Sequence, residues 1–204
     1  MTLPLFLPRS VTITGHLVRL EPLSLEHVSG LAAISNDPAI WRYMLYGNID
    51  SEAKMRAWVE DMLTRQAAGT DLPFAVRHLP SGKLAGATRY LDLRPAHRGL
   101  EIGGTWYGTE FQRSGVNTEA KYLLLRHAFE TLGAIRVQFK ADSRNEKSLR
   151  AIERIGATRE GILRNHMILA DGLYRHSIYF SVTADEWPAV KAHLEALCHS
   201  PLMG

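Results

Sequence analysis

The sequence predicts a mixed α/β fold of the α+β kind. Its centre is one mostly antiparallel sheet of about seven strands, with helices on both faces. Three observations lead there. Hydrophobic periodicity gives the order strand, helices, three strands, helix, strand, helix, two strands, helix. The three middle strands follow one another through short turns, as in a meander. Strands and helices do not alternate strictly, which argues against a doubly wound parallel sheet. With 204 residues the chain suits one domain spanning 1–204, large enough for a real core.

The elements read as follows. Residues 1–15 are expected to be a loose arm. His16–Leu23 (HLVRLEPL) alternates apolar and polar positions and reads as a strand. Ser24 caps an apolar-periodic stretch that Asn36-Asp37-Pro38 interrupts before a second short helix through Ile40, Trp41, Met44 and Leu45. Asp50 or Ser51 caps a longer helix from Glu52 to about Ala68, with Met55, Val59, Met62 and Leu63 on one face. Leu72–His78, Lys83–Leu93 and Gly99–Tyr107 form the meander, and the Gly103-Gly104 pair inside the third strand predicts a bulge or a close ligand approach. Thr118–Leu132 is an amphipathic helix, Ala134–Ala141 a strand, and Lys147–Ile155 a short helix ended by Gly156. Strands near Arg159–Leu169 and Leu173–Val182 meet at the turn Asp171-Gly172, and a last helix starts at Asp185-Glu186.

Composition narrows the function classes. Hydrophobic residues make up 46% and charged residues 22%, an ordinary globular balance. The net charge of +3 is small and its basic residues are dispersed, which disfavours a nucleic-acid arm. A single cysteine, Cys198, allows neither an internal disulfide nor a cysteine-based metal site. No apolar run reaches the length of a membrane span, and the prolines near the N-terminus do not fit a signal peptide. These features suit a cytoplasmic protein that uses neither membrane nor nucleic acid nor a metal.

The chemistry concentrates where the meander meets the long helix, in WYGTEFQRSGVNTEAKYLLLRHAFE. A glycine-bearing loop runs straight into a helix N-terminus. Free N–H groups and the helix dipole make such a junction an anion site. The run comprises Gln112, Arg113, Ser114, Gly115, Val116, Asn117 and Thr118. Gly115 admits close backbone approach, Arg113 adds positive charge, and Thr118 can help to cap the helix. A pyrophosphate is the natural occupant, although a plain helix cap explains the same residues. The Gly-Lys-Ser/Thr ending of a nucleotide P-loop is absent, and so is GxGxxG.

The segment resembles the acetyl-CoA motif of the GCN5-related N-acetyltransferases, Gln/Arg-x-x-Gly-x-Gly/Ala. Gln112 and Gly115 match it, and Asn117 departs from it. Asn145–Gly156 (NEKSLRAIERIG) resembles the family's Asn-x-x-Ser/Ala helix, with Ala157 in place of its usual Phe. The strand VRLEPL, the strand EIGGTWY and the ending REGILRNHMILADGLYRHSIYFSVTADEW resemble the RimJ/RimL-like branch, which acts on ribosomal proteins. The likeness spans roughly residues 14–190.

The resemblance implies a sheet splayed between its fourth and fifth strands, with the pantetheine arm of acetyl-CoA lying in the gap. Trp106 and Tyr107 then stand beside the cofactor, although core packing explains their side chains as well. It also implies direct attack of an amine on the thioester. Glu101 is the first candidate for the base, with a raised pKa if it is buried. His166 is the second, since its ordinary pKa suits neutral pH. Many relatives use a tyrosine on the short helix to help the thiolate leave, and Ile152 occupies that position here. Ser148 can instead hydrogen-bond the departing sulfur, while Asn145 contacts the cofactor or fixes the preceding turn. Trp41, Tyr43, Tyr46 and Trp58 either line the acceptor pocket or fill the core. The expected function is acetyl transfer from acetyl-CoA to a primary amine, such as a protein N-terminus or a small molecule, by a chain that can form a homodimer. A non-catalytic acyl-CoA sensor on the same fold is the alternative.

Overall fold

The computed structural model describes residues 6–199. Its strands are β1 (Ile13–Thr14), β2 (Val18–Pro22), β3 (Leu72–His78), β4 (Leu84–Arg94), β5 (Gly99–Tyr107), β6 (Arg136–Asp142), β7 (Thr158–Ile168) and β8 (Tyr174–Thr183). Its α-helices are α1 (Val28–Ala32), α2 (Pro38–Trp41), α3 (Glu52–Ala67), α4 (Val116–Arg126), α5 (Glu146–Arg154) and α6 (Trp187–His199). All eight strands join one sheet in the order β1-β2-β3-β4-β5-β6-β8-β7. Every pairing is antiparallel except β5 with β6.

The helices cover both faces, and the strands alternate between two cores. On β3, Phe74 and Val76 join the core under α4 and α6, with Leu123, Leu124, Val190 and Leu194. Ala75 between them joins the core under α1 and α3, with Leu31, Met55, Trp58 and Val59. A strand buried on both faces must be apolar at successive positions, as β3 is.

Local signals set several boundaries. Asp37 caps α2 by accepting from Ala39 N–H at 2.9 Å, with Pro38 in the first turn. Ser51, rather than Asp50, caps α3 through Lys54 N–H, and Asp50 forms an ion pair with Lys54 instead.

The structure corrects three expectations. The N-terminal segment is not simply a loose arm: residues 1–5 lie outside the described residues, but β1 pairs with β2 and Phe6 is buried in the core. The helix expected over Thr118–Leu132 keeps α geometry only to Arg126 and continues as a π-helical turn, His127–Thr131. Thr118 is not the cap of α4. Gly115 holds that position, and the Thr118 hydroxyl is buried and accepts from Arg154 Nη2 at 2.6 Å.

Candidate active site

The parallel pairing of β5 and β6 is brief. Gly99, Leu100 and Glu101 face Arg136, Val137 and Gln138, and beyond them the strands separate. β5 runs on to Tyr107 and β6 to Asp142, so each leaves backbone N–H and C=O groups facing a gap. A bulge bends β5 there. Ala87 pairs with Trp106 and Arg89 with Gly103, so β5 carries one extra residue, with Gly104 and Thr105 together opposite Thr88. Gly104 sits in the bulge at φ +58°, where a side chain would be strained. The glycine pair thus forms the expected bulge.

The gap opens into a cleft of about 1040 Å³ that reaches the start of α4. Gln112, Arg113, Ser114 and Asn117 line its loop end. Val116 is fully buried, and neither it nor Gly115 and Thr118 is among the lining residues. Gly115 and Asn117 have ordinary helical backbone, and the residue with unusual geometry is Arg113, at φ +59°. That conformation turns the chain into α4. The first-turn N–H groups have no partner inside the helix by geometry. Ser114 Oγ donates to Phe111 C=O at 2.6 Å and locks the loop. Gln112 Nε2 donates to Tyr107 C=O at 2.9 Å, and its side-chain oxygen accepts from Lys147 of α5.

α5 forms the adjoining wall. Asn145 caps it, accepting from Ser148 N–H at 3.1 Å, so its side chain serves the helix that follows, while its backbone N–H closes the preceding turn on Asp142 C=O at 2.9 Å. Asn145, Lys147, Ser148, Arg150 and Arg154 all line the cleft. Lys147, Arg150 and Arg154, together with Arg113, give this end a cationic rim suited to phosphates. Ile152 is buried against the core and also borders the cleft.

At the vertex of the gap lies Glu101, 1% exposed. It is not an isolated carboxylate. Its Oε2 accepts from Lys140 Nζ at 2.9 Å and from Gln138 Nε2 at 3.0 Å. Its Oε1 lies where a side chain on residue 103 would begin, 2.9 Å from that Cβ position, so Gly103 makes room for the acid. His166 is placed differently. It lines a separate shallow hollow on the β7–β8 hairpin, with Nδ1 against Ser177 Oγ at 3.0 Å and Nε2 near Tyr179 OH at 3.4 Å. Burial, then the charges of Lys140 and Arg175, hold its pKa below the usual histidine range.

The aromatic residues divide. Trp41 and Trp58 are buried and pack on Trp106 with ring centres 5.0 and 6.0 Å away. Tyr43 and Tyr46 line the cleft with Asp71, Arg89 and Arg175. Trp106 and Tyr107 are buried side chains that border the cleft, and burial pushes the Tyr107 phenol up.

Two supporting residues escaped the sequence reading. Glu119 is buried in α4 and accepts from the N–H groups of His16, Leu17 and Val18 at 2.8, 2.7 and 2.6 Å. It ties the first turns of α4 to the sheet. Lys121, also in α4, is buried and lines the cleft. Helical periodicity could not single out both, because residues two apart point to opposite sides and α4 is buried nearly all round.

Comparisons with known proteins agree with this geometry. Residues 18–158 match the family model described as an acetyltransferase (GNAT) domain. Bacillus subtilis YdaF, named provisionally as a ribosomal N-acetyltransferase, is 31% identical over 84% of this chain and 92% of its own. The spermidine N(1)-acetyltransferase of Escherichia coli K12 is 23% identical over 86% of this chain and 91% of its own. The crystal structure of a GCN5-related N-acetyltransferase from Brucella melitensis superposes with a TM-score of 0.88. It is 32% identical and covers 95% of this chain and 87% of that one.

Proposed function

The chain belongs to the GNAT acetyltransferase family, and from that premise we propose that it acetylates a low-pKa primary amine, foremost the α-amine of a protein N-terminus. As a member it is an acetyl-CoA-dependent acyltransferase that passes acetyl to an amine. The carrying observation is the brief β5–β6 pairing, which leaves two unpaired strand edges over a cleft continuous with the α4 N-terminus. An extended arm ending in a pyrophosphate fits both features: amide groups for the edges, cations and first-turn N–H groups for the phosphates.

In this reading Gln112–Thr118 cradles the pyrophosphate. Arg113, Ser114 and Asn117 face it, while Gly115, Val116 and Thr118 shape the turn behind it. Asn145 sets the start of α5, and Ser148 faces the coenzyme's sulfur. Trp106 and Tyr107 border the pantetheine arm through the β5 backbone. A β5 N–H beyond the vertex polarises the thioester carbonyl. Glu101, its Oε2 held by Lys140 and Gln138, offers Oε1 to the proton of the attacking amine. His166, joined to Tyr179 and Ser177 on the β7–β8 hairpin, is the second candidate for the base behind Glu101.

Reference pKa values favour an α-amine, at about 7.7–8.0 against about 10.4 for lysine, so roughly a tenth of α-amines already carry a free lone pair at pH 7. A site whose carboxylate is already paired with a lysine suits such an amine. The name of YdaF points the same way, towards ribosomal substrates. That of the E. coli enzyme points to a polyamine, but two of the acids lining this cleft are already paired, Asp71 with Arg89 and Glu101 with Lys140.

Among the described residues no helix is long and apolar enough to cross a membrane. This reading places the protein in the cytoplasm, beside the acetyl-CoA and protein N-termini it would use. It also takes the assembly to be a homodimer through edge strand β7. That strand exposes Ile162, Leu163 and Ile168, apolar groups that an edge normally covers or charges. Light scattering of wild type and Ile162→Lys tests the dimer. The function is tested by acetyl-CoA consumption with N-terminal peptides, Nα-blocked lysine and spermidine at pH 7. Peptides are expected to turn over fastest, and faster turnover of spermidine would overturn the acceptor assignment.

A further inference from the structure

A buried lysine spans the gap between the diverging strands. Lys121 projects from α4 and is 6% exposed, and it lines the cleft. Its Nζ donates to Thr105 Oγ1 of β5 at 2.6 Å and lies 5.9 Å from the ring centre of Phe139 on β6. Both contacts lie beyond the point where β5–β6 pairing stops. The Thr105 hydroxyl is itself bonded to Thr88 of β4 at 2.8 Å, so Lys121 is aimed by a fixed partner. Among the described residues no carboxylate forms an ion pair with Nζ. Glu101 on β5 acts on it from a distance and is held by Lys140 of β6. A buried cation with a neutral partner is costly to keep unless it works.

We infer that Lys121 is the acid that protonates the coenzyme's sulfur as the thioester breaks. This rests on the acetyl-transfer reading above. The amine nitrogen bonds to the acetyl carbon, and the carbon–sulfur bond breaks with its electron pair on sulfur. The amine's surplus proton goes to Glu101, and the Nζ proton goes to sulfur, giving the free thiol. Proton exchange through solvent from Glu101 to Lys121 then restores both groups.

The energetics favour this lysine over an ordinary one. Burial brings the Lys121 ammonium down to about 7, with Glu101 opposing part of that fall. A thiol titrates at about 8.5 and an unperturbed lysine at about 10.4, so an ordinary ammonium would give its proton to a thiolate uphill whereas Lys121 gives it downhill. Ser148 can hydrogen-bond the sulfur, but a hydroxyl is too weak an acid to release its proton.

The experiment compares two acetyl donors with one accepted amine. Acetyl-CoA leaves as a basic thiolate that needs a proton. Acetyl-seleno-CoA, with selenium in place of the thioester sulfur, keeps the same arm and phosphates and releases a weakly basic selenolate that needs none. Lys121→Met is expected to lower kcat with acetyl-CoA by about 100-fold or more. Its KM for acetyl-CoA should stay within about threefold, and its kcat with the seleno donor should be nearly unchanged. Lys121→Arg keeps the charge without an acidic proton and should behave like Lys121→Met. It also stands in if the methionine variant does not fold. An equal loss with both donors, no loss with either, or full acetyl-CoA activity in Lys121→Arg would overturn the assignment. A wild-type protein that acetylates no amine would instead overturn the reading beneath it.

Discussion

Glu119 binds the chain's beginning to the helix that starts the cofactor site, and Glu119→Gln measures that tie. Its carboxylate takes three backbone N–H groups, from His16, Leu17 and Val18, at 2.6–2.8 Å. A glutamine keeps one acceptor oxygen and turns an NH2 group towards the remaining donors. At least one donor then loses its partner, and the others lose the charge. Hydrogen bonds to charged groups contribute about 1.5–3 kcal/mol each, and an unsatisfied buried donor costs about 1–3 kcal/mol, so the expected loss is about 3 kcal/mol. For a protein near 200 residues each kcal/mol moves Tm by about 2–4 °C, so Tm should fall by about 6–12 °C. Calorimetry or circular dichroism at pH 7 reads it. Gly15→Ala provides an independent check, because a Cβ there would meet the Glu119 carboxyl carbon at 2.7 Å. It should lower Tm in the same direction. A fall of less than about 2 °C in Glu119→Gln would refute the reasoning, by showing that water replaces the three bonds at no cost.

Other outcomes follow from the same geometry. Asn117→Glu places a carboxylate on the cleft-facing first turn of α4, where phosphates are proposed to sit, and should raise the Kd for CoA at least tenfold by calorimetric titration with the fold intact. An unchanged Kd would remove the loop from the site. Glu101→Gln should lower kcat by about 10²–10⁴-fold, with the loss shrinking at high pH where the amine arrives neutral. Equal kcat and KM across the pH range would end its role as base. Glu21 is held down to about 2, chiefly by the Arg77 guanidinium, with burial opposing and His27 and Arg19 assisting. A depressed folded-state pKa gives stability that is present above the unfolded value of 4.5 and lost as pH falls towards about 2. Glu21→Gln should therefore be less stable than wild type by about 2–3 kcal/mol at pH 7, with the gap closing between about pH 4.5 and 2. A gap independent of pH would mean that the ion pair is not its source.

The sequence by itself determined the parts written in short-range signals. Ser51 caps α3 and Asp37 caps α2 because a side chain two or three residues from a helix start reaches its free N–H groups. Gly103-Gly104 bends β5, and QRSGVNT leads into α4, because backbone freedom and helix N–H groups are properties of the segment alone. The order of strands and helices was legible for the same reason. What the tertiary structure decided is which side chains meet. Glu101 finds Gln138 and Lys140 through the register of a three-residue parallel ladder, and a slip of one residue would turn them to the other face. Thr118 looked like a cap until Arg154, 36 residues on, claimed its hydroxyl. The helix read to Leu132 loosens into a π turn at His127, a change that hydrophobic periodicity does not record. His166 was read from its residue type alone, and only the folded hairpin sets it against Ser177 and Tyr179 and within the fields of Lys140 and Glu101. Lys121 carried no suitable pKa until burial under the splayed strands supplied one. Titration and reach depend on dielectric and distance, and both are set only when segments far apart in the chain pack together.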